Sequence, residues 1–515
     1  MSEAFLGMVA GLKVTLEEEL ATGAVRRERA APLRQVLAEL EGVLTKSDRG
    51  EMDDVQAISR VLGLMGGMTS LVADPGPDRR VAGLDEYRGR IDRYAGSMKA
   101  ALGMETALAT PGSATADALA AMQNNLTRFQ EGVAEVADDA AMAHLEASLL
   151  RPTARARHEL AGARHALLAQ PLWETAAVLP TVDTVAYGGD PDLRRTLETA
   201  LAGRGLRLSA DDHLLAPGQA RWDTLRRCHV AVLDLRGASD ITGLAHREPE
   251  RARQVAASAY ELGLAFALGV PVVLVCGADE VLPFDVDLTP VRLDGGPGDV
   301  ARLREAVDLA FYEQQRPSGG NAIAETVAFL DGLTVGHPFR TAFEHMGWLD
   351  RQLADDPARF VAVAEQLLPR LPSWRLLRPA WPGSYPEPGV KRCFHVMPFG
   401  PDWADRAFRT ARDVCRSRRV SIEYQRGDLS REGRINRAIW DDLCRATVVL
   451  VDVTGANLNV LIEWGMAHAI GRRIVAVRQP DSLDIRPPHV QKLRVLPYQT
   501  PRELSRILTK HLPEA

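Results

Sequence analysis

The sequence predicts an α/β protein in which two doubly wound parallel-sheet domains follow an all-α helical domain. Three observations carry that reading. Residues 448–477 run from the apolar, β-branched string Val448-Val449-Leu450-Val451 into Asp452. A turn of Thr454, Gly455, Asn457 and Asn459 follows, then a helix-spaced segment bearing Glu463, then a second apolar run from Ile474 to Val477. An apolar run without alternation suits a parallel strand covered on both faces, so the segment reads as a βαβ unit. The same pattern stands earlier in the chain, at residues 222–275. Residues 1–178, by contrast, carry apolar side chains at spacings of three and four with few β-branched runs.

A chain of 515 residues exceeds what one core holds, and three or four domains are expected. The divisions fall at 1–178 (helical bundle), 179–316 (first sheet domain), 317–388 (helical connector and Pro-rich linker) and 389–515 (second sheet domain). In the first of these, Leu33, Val36, Leu37, Leu40 and Val43 share a helix face, as do Val55, Ile58, Val61, Leu62 and Leu64. Breakers at residues 74–77 and 110–113 separate the helices, and Ser113 or Thr115 is placed to cap the next one. The pair Gly7 and Gly11 ahead of Lys13 is one residue too close for a phosphate loop, which also needs a Ser or Thr there. The bundle offers no catalytic constellation, so homo-oligomerisation, docking of a protein partner or a plain structural role is expected of it.

From Val182 the texture changes. Thr184-Val185-Ala186-Tyr187 runs into Gly188-Gly189-Asp190, a helix follows, and Val230-Ala231-Val232-Leu233 ends on Asp234. Residues 259–276 are apolar enough to suggest a membrane span, but Glu261 and Pro271 resolve them into helix, turn and strand. The two βαβ segments align: WDTLRRCHVAVLDLRG (222–237) with WDDLCRATVVLVDVTG (440–455), and AYELGLAFALGVPVVLV (259–275) with LIEWGMAHAIGRRIVAV (461–477). Shared apolar character is expected of any two such units. The shared acid at the strand end and the Glu-x-Gly-x-Ala-x-Ala-x-Gly string are not, and they mark an internal duplication. Between the copies, residues 317–320 break the chain, helices are expected near 323–333 and 360–368, and residues 379–388 read as a linker.

The net charge of −6, with both signs mixed, points to neither a nucleic acid nor a membrane as partner. The five cysteines form no metal-ligand spacing and read as buried free thiols. With acids at Glu3 and at 17–19 the start of the chain has no signal pattern, and a cytoplasmic protein is expected.

In parallel sheets ligands sit at the carboxyl ends of the strands, where Asp452, the Asn-bearing turn and Glu463 fall. The last domain, through HVMPFG at its first strand, DVTGANLNV and IEWGMAHAIG, resembles the nucleoside 2-deoxyribosyltransferase-like group within the wider TIR/SLOG-like set of nucleotide-processing domains. The likeness covers about a quarter of the chain. It implies a Rossmann-like, flavodoxin-type sheet holding a nucleoside, nucleotide or NAD as substrate or ligand, with no cofactor required. It assigns Glu463 to the anomeric carbon and Asp452 to base or ribose. Gly400, Asn457 and Asn459 fall to ribose or phosphate, and Met397, Pro398, Phe399, Thr454 and Gly455 complete the nucleotide-binding set. The first copy keeps Asp234 and Glu261 as its candidate catalytic acids and has Gly188-Gly189-Asp190 in place of MPFG, with Gly188 and Gly189 as candidate nucleotide contacts; its inserted segment at 238–257 leaves a regulatory or degenerate role open.

The chemistry fits such a site. Cleavage of an N-glycosidic bond passes through an oxocarbenium-like centre that a carboxylate can stabilise or trap, and two nearby acids have their pKa values pushed apart. Each residue also has a plain structural reading. Glu463 is then dipole-favoured near a helix start, Asp452 caps its own turn, and His395 and His468 are core histidines. Trp222 and Trp440 pack, and Arg472 and Arg473 form a solvated turn. The expected function is release of a base from a nucleoside, nucleotide or NAD. A nucleotide sensor controlling the helical domain is the alternative, and domains resembling these occur in bacterial antiphage defence in both roles.

Overall fold

The computed structural model describes residues 84–512 apart from 137, 174–183, 210–217, 284–287, 313–321, 333–339, 342–343, 345–355, 369–372, 400, 428–434, 488–489 and 491–492. The helical readings at 33–43 and 55–64, the breaker at 74–77, the glycine pair at 7–11, the break at 317–320 and Gly400 lie outside the described residues.

The described residues begin with four helices: α1 (Leu84–Leu108), α2 (Ala114–Glu135), α3 (Asp139–Leu145) and α4 (Arg151–Ala163), with a π turn at Glu146–Leu150. Ser113 caps α2 by accepting from Ala116 N at 3.1 Å. Ile91, Leu102, Leu119, Leu126 and Phe129 form the shared core. The helical reading ends sooner than expected, because β1 (Leu167–Ala169) pairs antiparallel with Arg375–Leu377. Leu-Leu-Ala has little strand preference of its own, and the distant partner decides.

The first α/β unit comprises β2 (Thr184–Ala186), α5 (Pro191–Leu201), β3 (Arg207–Leu208), α6 (Gly218–Arg227), β4 (Val230–Asp234), α7 (Ile241–Arg247), α8 (Pro249–Leu268), β5 (Val272–Gly277), β6 (Val291–Leu293) and α9 (Asp299–Tyr312). Helices α10 (Ala322–Asp331) and α11 (Pro357–Leu367) and strand β7 (Arg375–Leu377) follow. The second unit comprises β8 (Arg392–Val396), α12 (Asp402–Arg416), β9 (Glu423–Arg426), α13 (Ile435–Arg445), β10 (Val448–Asp452), α14 (Leu458–Ala469), β11 (Arg473–Arg478), β12 (Val495–Pro497) and α15 (Pro501–His511).

Both sheets are five-stranded and parallel, in the orders β3-β2-β4-β5-β6 and β9-β8-β10-β11-β12. Each places its second strand outermost beside its first, so the order reverses between first and third strands, where ligands of such sheets lie. The registers agree as well: Asp234 stands beside Val275 and Asp452 beside Val477. Residues 259–276 resolve as expected into the end of α8, a left-handed turn at Gly269 and strand β5. No described helix is long and apolar enough to cross a membrane.

The two units share one core, built where α8 meets α14. A Cβ on Gly263 would lie 1.9 Å from Ile462 O, and one on Gly465 would lie 2.2 Å from Tyr260 O. Gly263 aligns with Gly465 and Tyr260 with Ile462, so the contact repeats itself about a pseudo-twofold axis, as in an isologous dimer. Much of the Glu-x-Gly-x-Ala string is therefore a helix-crossing signal. Residues 379–388, read as a linker, are packed instead. Trp381 lies on Phe266 with ring centroids 4.8 Å apart, Ala380 N donates to Phe266 O at 2.7 Å, and Trp440 Nε1 donates to Pro382 O at 3.0 Å.

A buried polar network ties the helices to the first unit. Glu146, in the π turn, accepts from Tyr87, Tyr312 and Arg204, while Asp308 pairs with Arg90 and Arg204.

Candidate active site at the carboxyl edge of the second sheet

Strand β10 is buried along its whole length, so Asp452 at its end is carried into the interior. Its Oδ1 accepts from Thr454 N (3.0 Å) and Thr454 Oγ1, and its Oδ2 accepts from Tyr498 O–H. Gln479 N in turn donates to Thr454 Oγ1 at 3.0 Å. The acid thus joins the ends of three adjacent strands. Burial pushes its pKa up to about 6, against the bonds from Thr454 and Tyr498 that favour the charge. The following turn passes through Gly455 in the left-handed region (φ 81°) and reaches Asn457. Asn457 caps α14, accepting from Asn459 N at 2.9 Å and Val460 N at 3.3 Å. Asn459 itself is exposed.

Above this edge lies an open cleft of about 520 Å³, lined by Trp403, Thr454, Gly455, residues 479–483 and Gln499. That is within the range of small-molecule sites. Beside it, Asp452, Gly455, Asn457 and Arg486 surround a space of about 10 Å³, enough for one water. At the end of β8, Met397 and Pro398 are buried, while Phe399 is 49% exposed with the Arg426 guanidinium 5.2 Å from its ring centre. The structure therefore brings Asp452, Thr454, Gly455 and Asn457 together. Glu463 lines neither space.

Glu463 stands out when set beside its duplicate. Glu261 is fully buried and held by Arg221 through bonds of 2.8 Å and 2.7 Å. The position of Arg221 is Ile439 in the second copy. Among the described residues no hydrogen bond or ion pair meets the half-buried Glu463, and burial pushes its pKa up to about 8. Near neutral pH it is largely an uncharged acid.

The first copy is arranged differently. Burial opposes the charge of Asp234, but Arg236 and Arg251 outweigh it and hold the pKa below its ordinary value. Asp190, just after Gly188 and Gly189, caps α5 and accepts from Arg236 at 2.9 Å. Glu280 folds back between the two strand ends, accepting from Gly237 N and Gly277 N at 2.6 Å each. This edge is filled by the chain's own ionic groups.

Several residues have structural duties. His468 is buried at the pseudo-twofold axis between Trp464 Nε1 (3.0 Å) and Tyr260 O–H (2.7 Å), and burial lowers its pKa to about 3. His395 lies 2.7 Å from Tyr424 O–H and is likewise held neutral. Arg472 donates to Leu443 O and Cys444 O, and Arg473 to His511 O, so both cap helix ends rather than lie solvated. Sequence reasoning missed Tyr498, the carboxyl groove at Gln479 and Ser482, and the contrast of Arg221 with Ile439. The last two stood in the aligned copies, as Gly277 and Glu280 against Gln479 and Ser482, and as the residue before each Trp. Among the described residues no group of three His, Cys, Asp or Glu is placed to hold a metal. Compared with protein-family models, with curated proteins and with solved structures, the chain matches none.

Proposed function

We propose that the second α/β unit, a flavodoxin-like domain, binds a nucleotide or NAD at its carboxyl edge and cleaves the N-glycosidic bond. One observation supports this above others: the same helix position is ion-paired at Glu261 and, among the described residues, left uncompensated at Glu463. A carboxyl that keeps its proton near neutral pH can protonate a departing base. As the bond from the anomeric carbon to the base nitrogen breaks, the Glu463 proton passes to that nitrogen. Water then captures the sugar cation and returns a proton to the Glu463 carboxylate. Transfer to a second base follows the same course with that base in place of water. The ends of β8 and β10, at Met397, Pro398, Phe399 and the turn 454–459, would hold sugar and phosphate.

The test is chromatography of free base released from NAD, ribonucleotides, deoxynucleotides and nucleosides by the wild-type chain and Glu463→Gln. Release by wild type and its loss in a folded Glu463→Gln protein is the expected result. Release that survives the substitution would remove Glu463 from the mechanism.

The cleft lining favours a second reading. It offers the polar groups of Thr454, Gln479, Ser482 and Gln499 with one carboxylate, Asp481, and does not include Glu463, as a binding module requires. Stabilisation by a nucleotide without base release from any substrate would establish that sensor reading. In either case we infer an all-α domain before the sheets that docks a protein partner or second copy, with the Glu146 network passing ligand-dependent shifts to it.

A further inference from the structure

The two carboxyl edges differ at one place in a way that points to a ligand. In the first unit the Glu280 carboxylate is held by Gly237 N and Gly277 N, each at 2.6 Å, and by Ser239 Oγ at 3.2 Å. Two converging backbone N–H groups and a hydroxyl across adjacent strand ends form a seat for an anion, and here the chain supplies its own. Alignment and register place Gly455 at Gly237, Gln479 at Gly277 and Ser482 at Glu280. The turn conformation is kept, with φ of 94° at Gly237 and 81° at Gly455. The carboxylate is not. Ser482 is too short to reach across, and the open cleft of about 520 Å³ is bordered by Gly455, Gln479 and Ser482 themselves. Among the described residues no hydrogen bond occupies the Gly455 N–H. Gln479 N is taken by Thr454, so the seat is not a complete copy. Charge on this edge is mixed, and the Asp481 carboxylate lines the cleft itself. Arg478 and Arg486 share Asp484, at 2.8 Å each, and Arg486 borders the small space beside Gly455 and Asn457.

We propose that this cleft binds a phosphate-bearing ligand, its anionic group seated against Gly455 where the first unit seats Glu280. The ligand of the second unit is then a nucleotide or dinucleotide and not a free nucleoside. The first unit, being self-occupied, takes no such ligand. The inference rests on the nucleotide reading for the rest of the ligand, but the phosphate seat is read by binding and not by turnover.

The experiment is calorimetric titration of the full-length chain with pyrophosphate, the common 5′-mononucleotides, NAD and the matching nucleosides, repeated on Ser482→Glu. That substitution transplants the first unit's own occupant into the cleft. The wild type is expected to bind one equivalent of at least one phosphorylated probe and no nucleoside to comparable strength. Ser482→Glu, with unchanged circular dichroism, should weaken that binding roughly 10- to 100-fold. Equal binding by Ser482→Glu, nucleosides binding as tightly as nucleotides, or no binding of any phosphorylated probe would each overturn the proposal. Should Ser482→Glu not fold, Glu280→Ser carries the test in the opposite direction. It vacates the first seat and should add a second equivalent of the bound probe, and a stoichiometry still at one would overturn the proposal. Phosphate binding without base release would leave the seat standing and remove the glycosidase. Base release from nucleosides as efficient as from nucleotides would do the reverse.

Discussion

Replacing Gly263 with Ala places a methyl group where the α8–α14 crossing has no room. The new Cβ would sit 1.9 Å from Ile462 O, and the helices must part by about 1 Å before the contact reaches even the shortest tolerated distance. A gap of that size forfeits a quarter to a half of the dispersion energy of the atoms it separates. Here those atoms include Tyr260, Ile462, Trp464 and Met466, all buried on the pseudo-twofold axis. Overpacking in a rigid core costs about 1–3 kcal/mol, and a backbone contact that cannot rotate away belongs at the upper end. Gly465→Ala should cost about as much, since its Cβ meets Tyr260 O at 2.2 Å. The informative protein is the double variant. Once the helices have parted for one methyl group they have nearly made room for the other, so the two losses should fall short of adding by about 2 kcal/mol. Urea unfolding of the four proteins, with midpoint and slope fitted separately, measures the cycle. Losses under about 0.5 kcal/mol for either single substitution, or strict additivity in the pair, would refute the shared close crossing.

Arg221→Met should cost about 3–5 kcal/mol at pH 7, because it leaves Glu261 buried without its cation. The loss should shrink at pH 5, where the orphaned acid takes up a proton, and a small loss unchanged between the two pH values would contradict the pairing. Glu463 has the opposite signature. Its folded pKa of about 8 lies above the ordinary 4.5, so the folded chain keeps a proton the unfolded chain releases. Its contribution is fullest below pH 4.5 and falls as pH rises to about 8. Glu463→Gln should remove that decline from a melting-temperature profile, and an identical slope in both proteins would count against it. Tyr498→Phe withdraws the hydroxyl from the buried Asp452 carboxylate and should cost about 1–3 kcal/mol. Thermal unfolding in which the variant melts with wild type would show that water or another donor takes its place.

The sheets were legible because their central strands are unbroken apolar runs ending on acids, a pattern set by burial on two faces. Helix ends were legible where capping chemistry is local, as at Ser113. What escaped needed distance. Leu167–Ala169 becomes a strand only through Arg375–Leu377, and residues 379–388 look like a linker until Trp381 finds Phe266. The candidate site divides the same way. Asp452 and Asn457 announce themselves at a strand end and a helix start. The counterpart of Arg221 is residue 439, twenty-four positions before Glu463 and on α13, a separate helix that packs on α14. The glycines of the shared string were legible as special, but their reason lay on the opposite helix.

Charge, followed through both copies, separates their roles more sharply than shape does. At these stations the first unit supplies its own partners: Arg221 for Glu261, Arg236 and Arg251 for Asp234, and Glu280 for the two backbone N–H groups. The second unit answers with Ile439, neutral hydroxyls and Ser482 at the same stations. Burying an uncompensated carboxyl is costly, and a domain under selection for stability alone would keep the pairs its twin displays. The structure that results has one edge satisfied by its own side chains and one left able to gain from a ligand. The pseudo-twofold core packs α14, the helix that leaves the open edge, directly on α8 of the first unit.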